Sequence, residues 1–216
     1  YEGTRLGMQE LDGVLIDEVD GALWTREMLE GARVGRLPEF TRVVVAVDPP
    51  AGAGATSDAC GIVVAGVVQD GPPENWRAVV LEDASVQGVS PTGWAKAAAA
   101  AHDRWKADRV VAEVNQGGAM VETVLRQVAP LLPVTQVHAT RGKTARAEPV
   151  AALYEQGRVS HCAGMAELES QMCLMTHGGF AGSGSPDRVD ALVWALTELM
   201  LIPADRWQLP KVRTLP

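Results

Sequence analysis

The chain has 216 residues, enough for one large domain or a domain with an appendage, and 47% of them are hydrophobic, which can supply a sizeable core. Its formal net charge of −8 argues against a protein that wraps nucleic acid by bulk attraction. No apolar run approaches the ~20 residues that a membrane-spanning helix needs, and no signal peptide pattern opens the sequence. Three cysteines without a Cys-x-x-Cys pair argue against a zinc or redox site.

The first 40 residues show no sustained hydrophobic period, and the composition shifts near Leu37-Pro38. Because the sequence starts with tyrosine rather than methionine, we expect it to be a piece of a longer protein. We therefore expect a linker over 1–40, with a short helix near 25–32, a main domain over 41–202 and a tail over 203–216.

Three runs rich in β-branched residues follow, and their short connections predict three neighbouring antiparallel strands. These runs are 42–48, 60–68 and 76–82. After them, Ser90 is placed as the N-cap of a helix whose first residue is Pro91.

The second half alternates short strands with helices, which predicts parallel pairing through right-handed crossovers. The expected elements are strands 109–114 and 133–139 and helices 120–128, 143–156, 164–175 and 186–201. Ser185 is placed to cap the last helix. The whole pattern predicts an α/β fold with a mixed central sheet of about five or more strands, the first three antiparallel, flanked by α-helices.

Three of these elements carry an acid in an apolar setting. Asp48 ends the first strand, Glu113 lies near the end of the fourth, and Asp190 lies beside the apolar stripe of the last helix. If the first and fourth strands are neighbours, Asp48 and Glu113 lie side by side and raise each other's pKa. Mg²⁺ or Mn²⁺ removes that conflict, and two such ions roughly 3.5–4 Å apart support hydrolysis of a phosphodiester. The pattern therefore indicates nuclease chemistry.

Each acid also has a structural explanation when it is taken alone. Asp187 shares a face with Asp190, but an acid in the first turn is favoured equally by the helix dipole. Glu113 could pair with Arg109 or Lys143, and Asp48 could accept hydrogen bonds from the glycine-rich loop after it. Asp190 lies beyond the first turn, so capping explains it poorly and catalysis is the better interpretation.

Four motifs occur in an order that is typical of one family. They are VAVDPP followed by Ser-Asp, VVAEVNQGG, RGKTARAEPVAALYEQGRVSH and PDRVDALVWALTEL. The sequence resembles, from about residue 1 to 201, the C-terminal nuclease domain of the large terminase subunit of tailed bacteriophages, an RNase H-like nuclease. The ATPase motifs of a full terminase are missing, and RGKT at 141–144 is not a phosphate loop because Val137 stands where that loop needs glycine.

The resemblance implies an RNase H-like fold and a metal-dependent endonuclease that cuts double-stranded DNA, a concatemeric viral genome, during packaging. Asp48, Glu113 and Asp190 would be the catalytic acids and would hold Mg²⁺ or Mn²⁺, with two ions expected. Asp187 would be a fourth ligand, although some relatives carry His there. Asp58 matches an accessory acid of the family.

The resemblance also implies partners: an upstream ATPase domain of the same polypeptide, a portal and a small terminase subunit. The expected location is the cytoplasm of the infected bacterial host, with no membrane. Lys143, Arg146, Arg141 and Asn115 are candidate DNA contacts. For the basic residues, a solvated helix face is an equally good explanation. The six tryptophans lie mostly on predicted apolar faces, so we expect them to pack in the core rather than stack on bases.

Other functions fit the sequence less well. Loss of an acid would favour a non-catalytic DNA-guiding or motor-docking module with the same fold, and no acid is lost. An actin-like ATPase usually has Asp-x-Gly in the first turn, and Asp48-Pro49-Pro50 lacks it. A Holliday-junction resolvase shares the acids, but the segment RGKTARAEP fits it less well.

Overall fold

A six-stranded sheet organises the protein, whose computed structural model describes residues 19–50, 59–115 and 117–202. The strands are β1 (Arg42–Asp48), β2 (Gly61–Val68), β3 (Arg77–Asp83), β4 (Arg109–Glu113), β5 (Val134–Val137) and β6 (Val159–His161), and a separate hairpin contains β7 (Met175–Thr176) and β8 (Gly179–Phe180). The helices are α1 (Arg26–Gly31), α2 (Pro91–Trp105), α3 (Ala119–Val128), α4 (Lys143–Glu155), α5 (Ala166–Cys173) and α6 (Asp187–Leu196).

The sheet is mixed, with the strand order β5-β4-β1-β2-β3-β6. Strands β1, β2 and β3 pair antiparallel, whereas β4 pairs parallel with both β1 and β5, and β6 pairs parallel with β3. This arrangement confirms the predicted α/β fold with three antiparallel strands first. It places β1 at the centre, beside both its hairpin partner and the acid-bearing strand β4.

Both faces of the sheet are buried, which explains why β1 is rich in valine rather than alternating with polar residues. Side chains of a strand alternate between faces. Val44 and Ala46 of β1 pack in a cluster with α4, α5 and α6, whereas Val43, Val45 and Val47 pack in a second cluster with α2 and α3. The domain therefore has three layers, with helices on either side of the sheet.

Helix α6 is the most deeply buried helix among the described residues, because every residue of it except Arg188 is buried. The predicted Ser185 cap is wrong: the N-cap is Pro186, without a side-chain bond. Ser185 Oγ instead accepts a hydrogen bond from Lys143 Nζ at 2.8 Å. The helix ends at Leu196 and continues as a π-helical turn, Thr197–Leu201, within the predicted range.

The described part of the predicted linker packs into the domain. Trp24 is fully buried and Leu29 is 2% exposed, and the short helix α1 begins after Thr25, whose hydroxyl caps it. Arg33 forms a bridge with the edge strand β6 at His161. Residues 22–34 therefore contribute to the core, and the linker boundary at 1–40 stays a prediction. Among the described helices, none has both the length and the apolar composition that crossing a bilayer would require.

Candidate active site

The pairing of β1 with β4 places two acids next to each other at one edge of the sheet. The last parallel pair is Val47 with Ala112, and Asp48 and Glu113 are the next residues of the two strands. By alternation, Asp48 lies on the face of Val44 and Ala46, and Glu113 on the face of Val111, which is the face that α6 covers. The predicted neighbourhood of Asp48 and Glu113 is present in the structure.

Helix α6 brings two more acids to the same edge. In β2, Gly61 pairs with Asp48, and a Cβ atom placed on Gly61 would lie 1.9 Å from the carbonyl oxygen of Asp187. Only a residue without a side chain lets the start of α6 lie this close to the strand. Asp187 and Asp190 are 6% and 2% exposed, so both carboxylates are buried beside the sheet edge.

The electrostatics of these acids favours a cation. Burial, and then the charges of Asp190 and Glu113, raise the pKa of Asp48 well above its ordinary value, while Lys143 acts in the opposite direction. Burial also raises the pKa of Asp190, although its bond to Lys143 opposes this. Buried carboxylates this close repel each other, so the fully ionised cluster needs positive charge.

Two basic side chains of α4 supply that charge in this structure. Lys143 Nζ lies 2.5 Å from Asp190 Oδ2, and Arg146 donates through Nη2 to Asp190 Oδ1 at 3.0 Å and through Nη1 to Glu113 Oε2 at 3.3 Å. Burial works against the charged form of Lys143, but the bond to Asp190 and the charges of Asp48 and Asp187 raise its pKa overall. Lys143 and Arg146 are three residues apart, so both reach the acids from one helix face.

The other predicted contacts have different surroundings. The side chain of Asn115 donates to the carbonyl of Ala139 at 2.9 Å and accepts from its N–H at 2.7 Å, which ties the end of β4 to the loop after β5. Arg141 is exposed. Asp58 lies outside the described residues. The roles of these side chains in DNA or metal binding stay predictions.

Trp194 is a site residue that the sequence did not reveal. Its indole Nε1 donates to Glu113 Oε2 at 2.5 Å, and its ring centre lies 4.8 Å from the guanidinium carbon of Arg146. The expectation of core packing alone was incomplete, although Trp194 is only 9% exposed. The one available signal was its position four residues after Asp190, which puts the two side chains on one helix face.

The donor set fits a hard divalent cation, because Asp48, Glu113, Asp190 and Asp187 offer only carboxylate oxygens. Among the described residues, no three His, Cys, Asp or Glu side chains are already arranged around a metal position. In this structure Lys143 and Arg146 are bonded to the same carboxylates. Binding of a metal ion by Asp190 Oδ2 would therefore require Lys143 to move away.

Solved structures of viral terminases share this fold. A point mutant of gp2c, from the large terminase subunit of bacteriophage Sf6 with calcium, superposes with a TM-score of 0.62 at 16% identity, over 81% of this chain and 98% of that one. The phage P22 large terminase nuclease domain superposes with a TM-score of 0.57 at 13% identity, over 78% of this chain and 85% of that one. The human cytomegalovirus terminase nuclease domain, Mn-soaked and inhibitor-bound, superposes with a TM-score of 0.56 at 14% identity, over 87% of this chain and 99% of that one.

At these identities the structures establish a common fold. A search of curated proteins finds no significant match to the sequence. The sequence itself matches a family described as the terminase RNaseH-like domain over residues 45–199, a range that runs from β1 to the π-helical turn after α6. Because this range covers more than half of the chain, the protein belongs to the terminase RNaseH-like domain family.

Proposed function

We propose that this domain is a metal-dependent endonuclease that hydrolyses phosphodiester bonds of double-stranded DNA, cutting a concatemeric viral genome during phage DNA packaging. The observation that carries the proposal is the convergence of Asp48, Glu113 and Asp190 from three elements at one sheet edge. Support also comes from the relatives in fold, which include gp2c of a large terminase subunit solved with calcium and terminase nuclease domains solved with manganese.

In this proposal, Asp48, Glu113 and Asp190 hold the metal, with Asp187 as a further ligand and two Mg²⁺ or Mn²⁺ ions in the active state. The ions would supply an activated water and neutralise charge on the leaving oxygen. Lys143, whose side chain is 42% exposed, would leave Asp190 and become available to a DNA phosphate. Arg146, 11% exposed, would keep Glu113 and Asp190 in place.

The charge of the domain suggests that it receives DNA from a partner. The formal net charge of the 216-residue chain is −8, and non-specific DNA affinity depends on Lys and Arg that are free to contact phosphates. Lys143 and Arg146 are instead bonded to acids here. We therefore propose that an upstream ATPase domain delivers the substrate. The other proposed partners are a portal and a small terminase subunit, and the proposed location is the cytoplasm of the infected host. The domain would span 41–202, with a linker before it and a tail after it.

Cleavage of supercoiled plasmid by this chain, with Mn²⁺, Mg²⁺ or EDTA, tests the proposal. Three amide variants keep the shape of each acid: Asp48→Asn, Glu113→Gln and Asp190→Asn. Asp103→Asn, at an exposed carboxylate of α2, is the matched control. We expect metal-dependent nicking and linearisation by the wild type and the control, and at least about a hundredfold loss in the three variants. Unchanged cleavage in the variants, with circular dichroism of a folded protein, would contradict the assignment of the site.

A further inference from the structure

We infer that Trp194 is a positioning residue for Glu113: its indole N–H fixes one carboxylate oxygen so that the other is presented to the metal, and its ring supports Arg146. The inference rests on the proposed function, since it concerns the same site. Trp194 thus has a role in the site beyond core packing, although it is not one of the acids that would bind the metal.

The hydrogen bonds from described residues to the Glu113 carboxylate reach only one of its two oxygens. Both hydrogen bonds that the described residues make to its carboxylate end on Oε2, one from Trp194 Nε1 at 2.5 Å and one from Arg146 Nη1 at 3.3 Å. A carboxylate held through one oxygen keeps a fixed orientation and still has lone pairs on the other oxygen. Carboxylates that bind metals are typically oriented by such partners. Glu113 is therefore positioned before any metal arrives.

Helix α6 carries both the support and a second acid. Trp194 lies four residues after Asp190, so the two side chains leave the same face of a helix that is buried along nearly its whole length. The helix contributes Asp190 directly and fixes Glu113 of β4 through Trp194. The relative positions of the two acids thus depend on rigid packing rather than on two flexible side chains.

Arg146 completes the support by joining the two acids. Its guanidinium contacts Glu113 Oε2 and Asp190 Oδ1, and the Trp194 ring lies 4.8 Å from its central carbon. A cation over an indole face is attracted by the ring quadrupole, and a planar guanidinium suits such a bridge better than an ammonium group. Trp194 therefore acts on Glu113 twice, directly through the N–H and indirectly through Arg146.

The chain contains a matched control for the N–H contact. Trp105 Nε1 donates to Glu82 Oε2 at 2.6 Å, which is the same indole-carboxylate bond on α2 and β3. Trp105→Phe therefore removes an equivalent hydrogen bond from Glu82, an acid that is not part of the site. Trp194→Phe removes the N–H and keeps an aromatic ring beside Arg146.

Mn²⁺ binding by the 216-residue chain, measured by isothermal titration calorimetry, tests the inference. We expect Trp194→Phe to weaken Mn²⁺ binding about tenfold and to lower kcat for plasmid cleavage while KM for DNA stays unchanged. Trp105→Phe should match the wild type in all three quantities. Incorporation of 3-benzothienylalanine at position 194, which replaces the N–H with sulfur in nearly the same shape, should weaken Mn²⁺ binding as Trp194→Phe does.

The outcomes separate this inference from the proposed function. Equal Mn²⁺ affinity in the wild type and in both variants at position 194 would overturn the positioning role and leave the nuclease proposal intact. A wild type that neither binds Mn²⁺ nor cuts DNA would overturn the proposed function. A loss of affinity in Trp105→Phe as large as in Trp194→Phe would also overturn the inference, because the effect would then come from general destabilisation.

Discussion

Gly61 of β2 lies directly against the backbone of Asp187, the first residue of α6, so closely that a Cβ atom at position 61 would lie 1.9 Å from the Asp187 carbonyl oxygen. The same glycine pairs with Asp48 across the β1–β2 hairpin. One missing side chain thus sets the distance between the strand that carries Asp48 and the helix that carries Asp187 and Asp190.

Gly61→Ala should therefore displace the start of α6. The obstructing atoms belong to the backbone, so the strain cannot be relieved by a rotamer change, and we expect a loss of about 1–3 kcal/mol in the free energy of unfolding. Metal-dependent cleavage should fall more than the folded fraction does. Urea unfolding and plasmid cleavage measure the two effects. Gly31→Ala is the control, since a Cβ atom there has nothing within 4 Å. Equal behaviour of the two variants would contradict the close packing.

Asp48→Asn should abolish cleavage and yet stabilise the metal-free protein. Burial and the charges of Asp190 and Glu113 raise the pKa of Asp48, so its ionised form is unfavourable in the folded state. We expect a gain of about 1 kcal/mol at pH 7 in EDTA, measured by urea unfolding. Because the folded-state pKa of Asp48 is raised, the wild type loses stability as pH rises and Asp48 ionises. At pH 4 the wild type has lost little of that stability, so the gain from Asp48→Asn should be smaller there than at pH 7.

The exposed Asp103→Asn should leave stability within about 0.5 kcal/mol of the wild type at either pH. Added Mn²⁺ should then stabilise the wild type and not Asp48→Asn, because only a native state that binds the ion is stabilised by it. A less stable Asp48→Asn at pH 7 would show that Asp48 is favourably paired in the metal-free form.

Strands β1 to β5 and the proximity of two acids were predictable from the sequence. Runs of valine with short connections specify β1 to β3, and strand–helix–strand alternation specifies parallel pairing of later strands. Asp48 and Glu113 end such runs, so their proximity followed from the topology. Strands β6, β7 and β8 escaped prediction because each has only two or three residues, too few to show a period.

Contacts that depend on helix packing were not predictable. Arg146 and Trp194 meet Glu113 only because α4 and α6 lie on the same face of the sheet, and no local pattern in either helix specifies that meeting. That the segment with Trp24 and Leu29, expected to be a linker, packs into the domain was missed for a related reason. Their segment shows no hydrophobic period in the sequence. Its apolar side chains face the core only because the segment packs against the rest of the domain.

Lys143→Ala should tighten Mn²⁺ binding while it destabilises the metal-free protein. Lys143 Nζ lies 2.5 Å from Asp190 Oδ2, where it would compete with a bound metal ion for that oxygen. Removing it leaves the acids more negative, and we expect roughly tenfold tighter Mn²⁺ binding, which corresponds to about 1.4 kcal/mol. Because Lys143 is partly exposed, the loss of stability in EDTA should be only about 1 kcal/mol.

Calorimetry with Mn²⁺ and urea unfolding in EDTA measure these two effects. Arg141→Ala removes one positive charge from an exposed position two residues away and should change neither quantity by much. If Lys143→Ala bound Mn²⁺ no more tightly than Arg141→Ala, competition between the lysine and the metal would be refuted.

On the edge strand β6, the buried His161 and the polar side chains bonded to it should make stability depend on pH. His161 is fully buried, with Nε2 2.6 Å from the Tyr154 hydroxyl and Nδ1 3.3 Å from Glu169 Oε1. Glu169 in turn accepts two hydrogen bonds from Arg33, at 2.5 and 2.6 Å. Burial lowers the pKa of His161 below its ordinary value of 6.5, although Glu169 acts in the opposite direction.

A lowered folded-state pKa means that the unfolded chain binds a proton at His161 more readily. The contribution of His161 to the free energy of unfolding is therefore fully present well above pH 6.5 and is lost as the pH drops towards 5. For one proton the slope is at most about 1.4 kcal/mol per pH unit. Urea unfolding at pH 7.5, 6.5 and 5.5 measures this slope. His161→Gln should be less stable at pH 7.5 but should show a smaller slope, whereas His177→Gln, at an exposed histidine, should keep the wild-type slope. An unchanged slope in His161→Gln would mean that other groups cause the acid sensitivity.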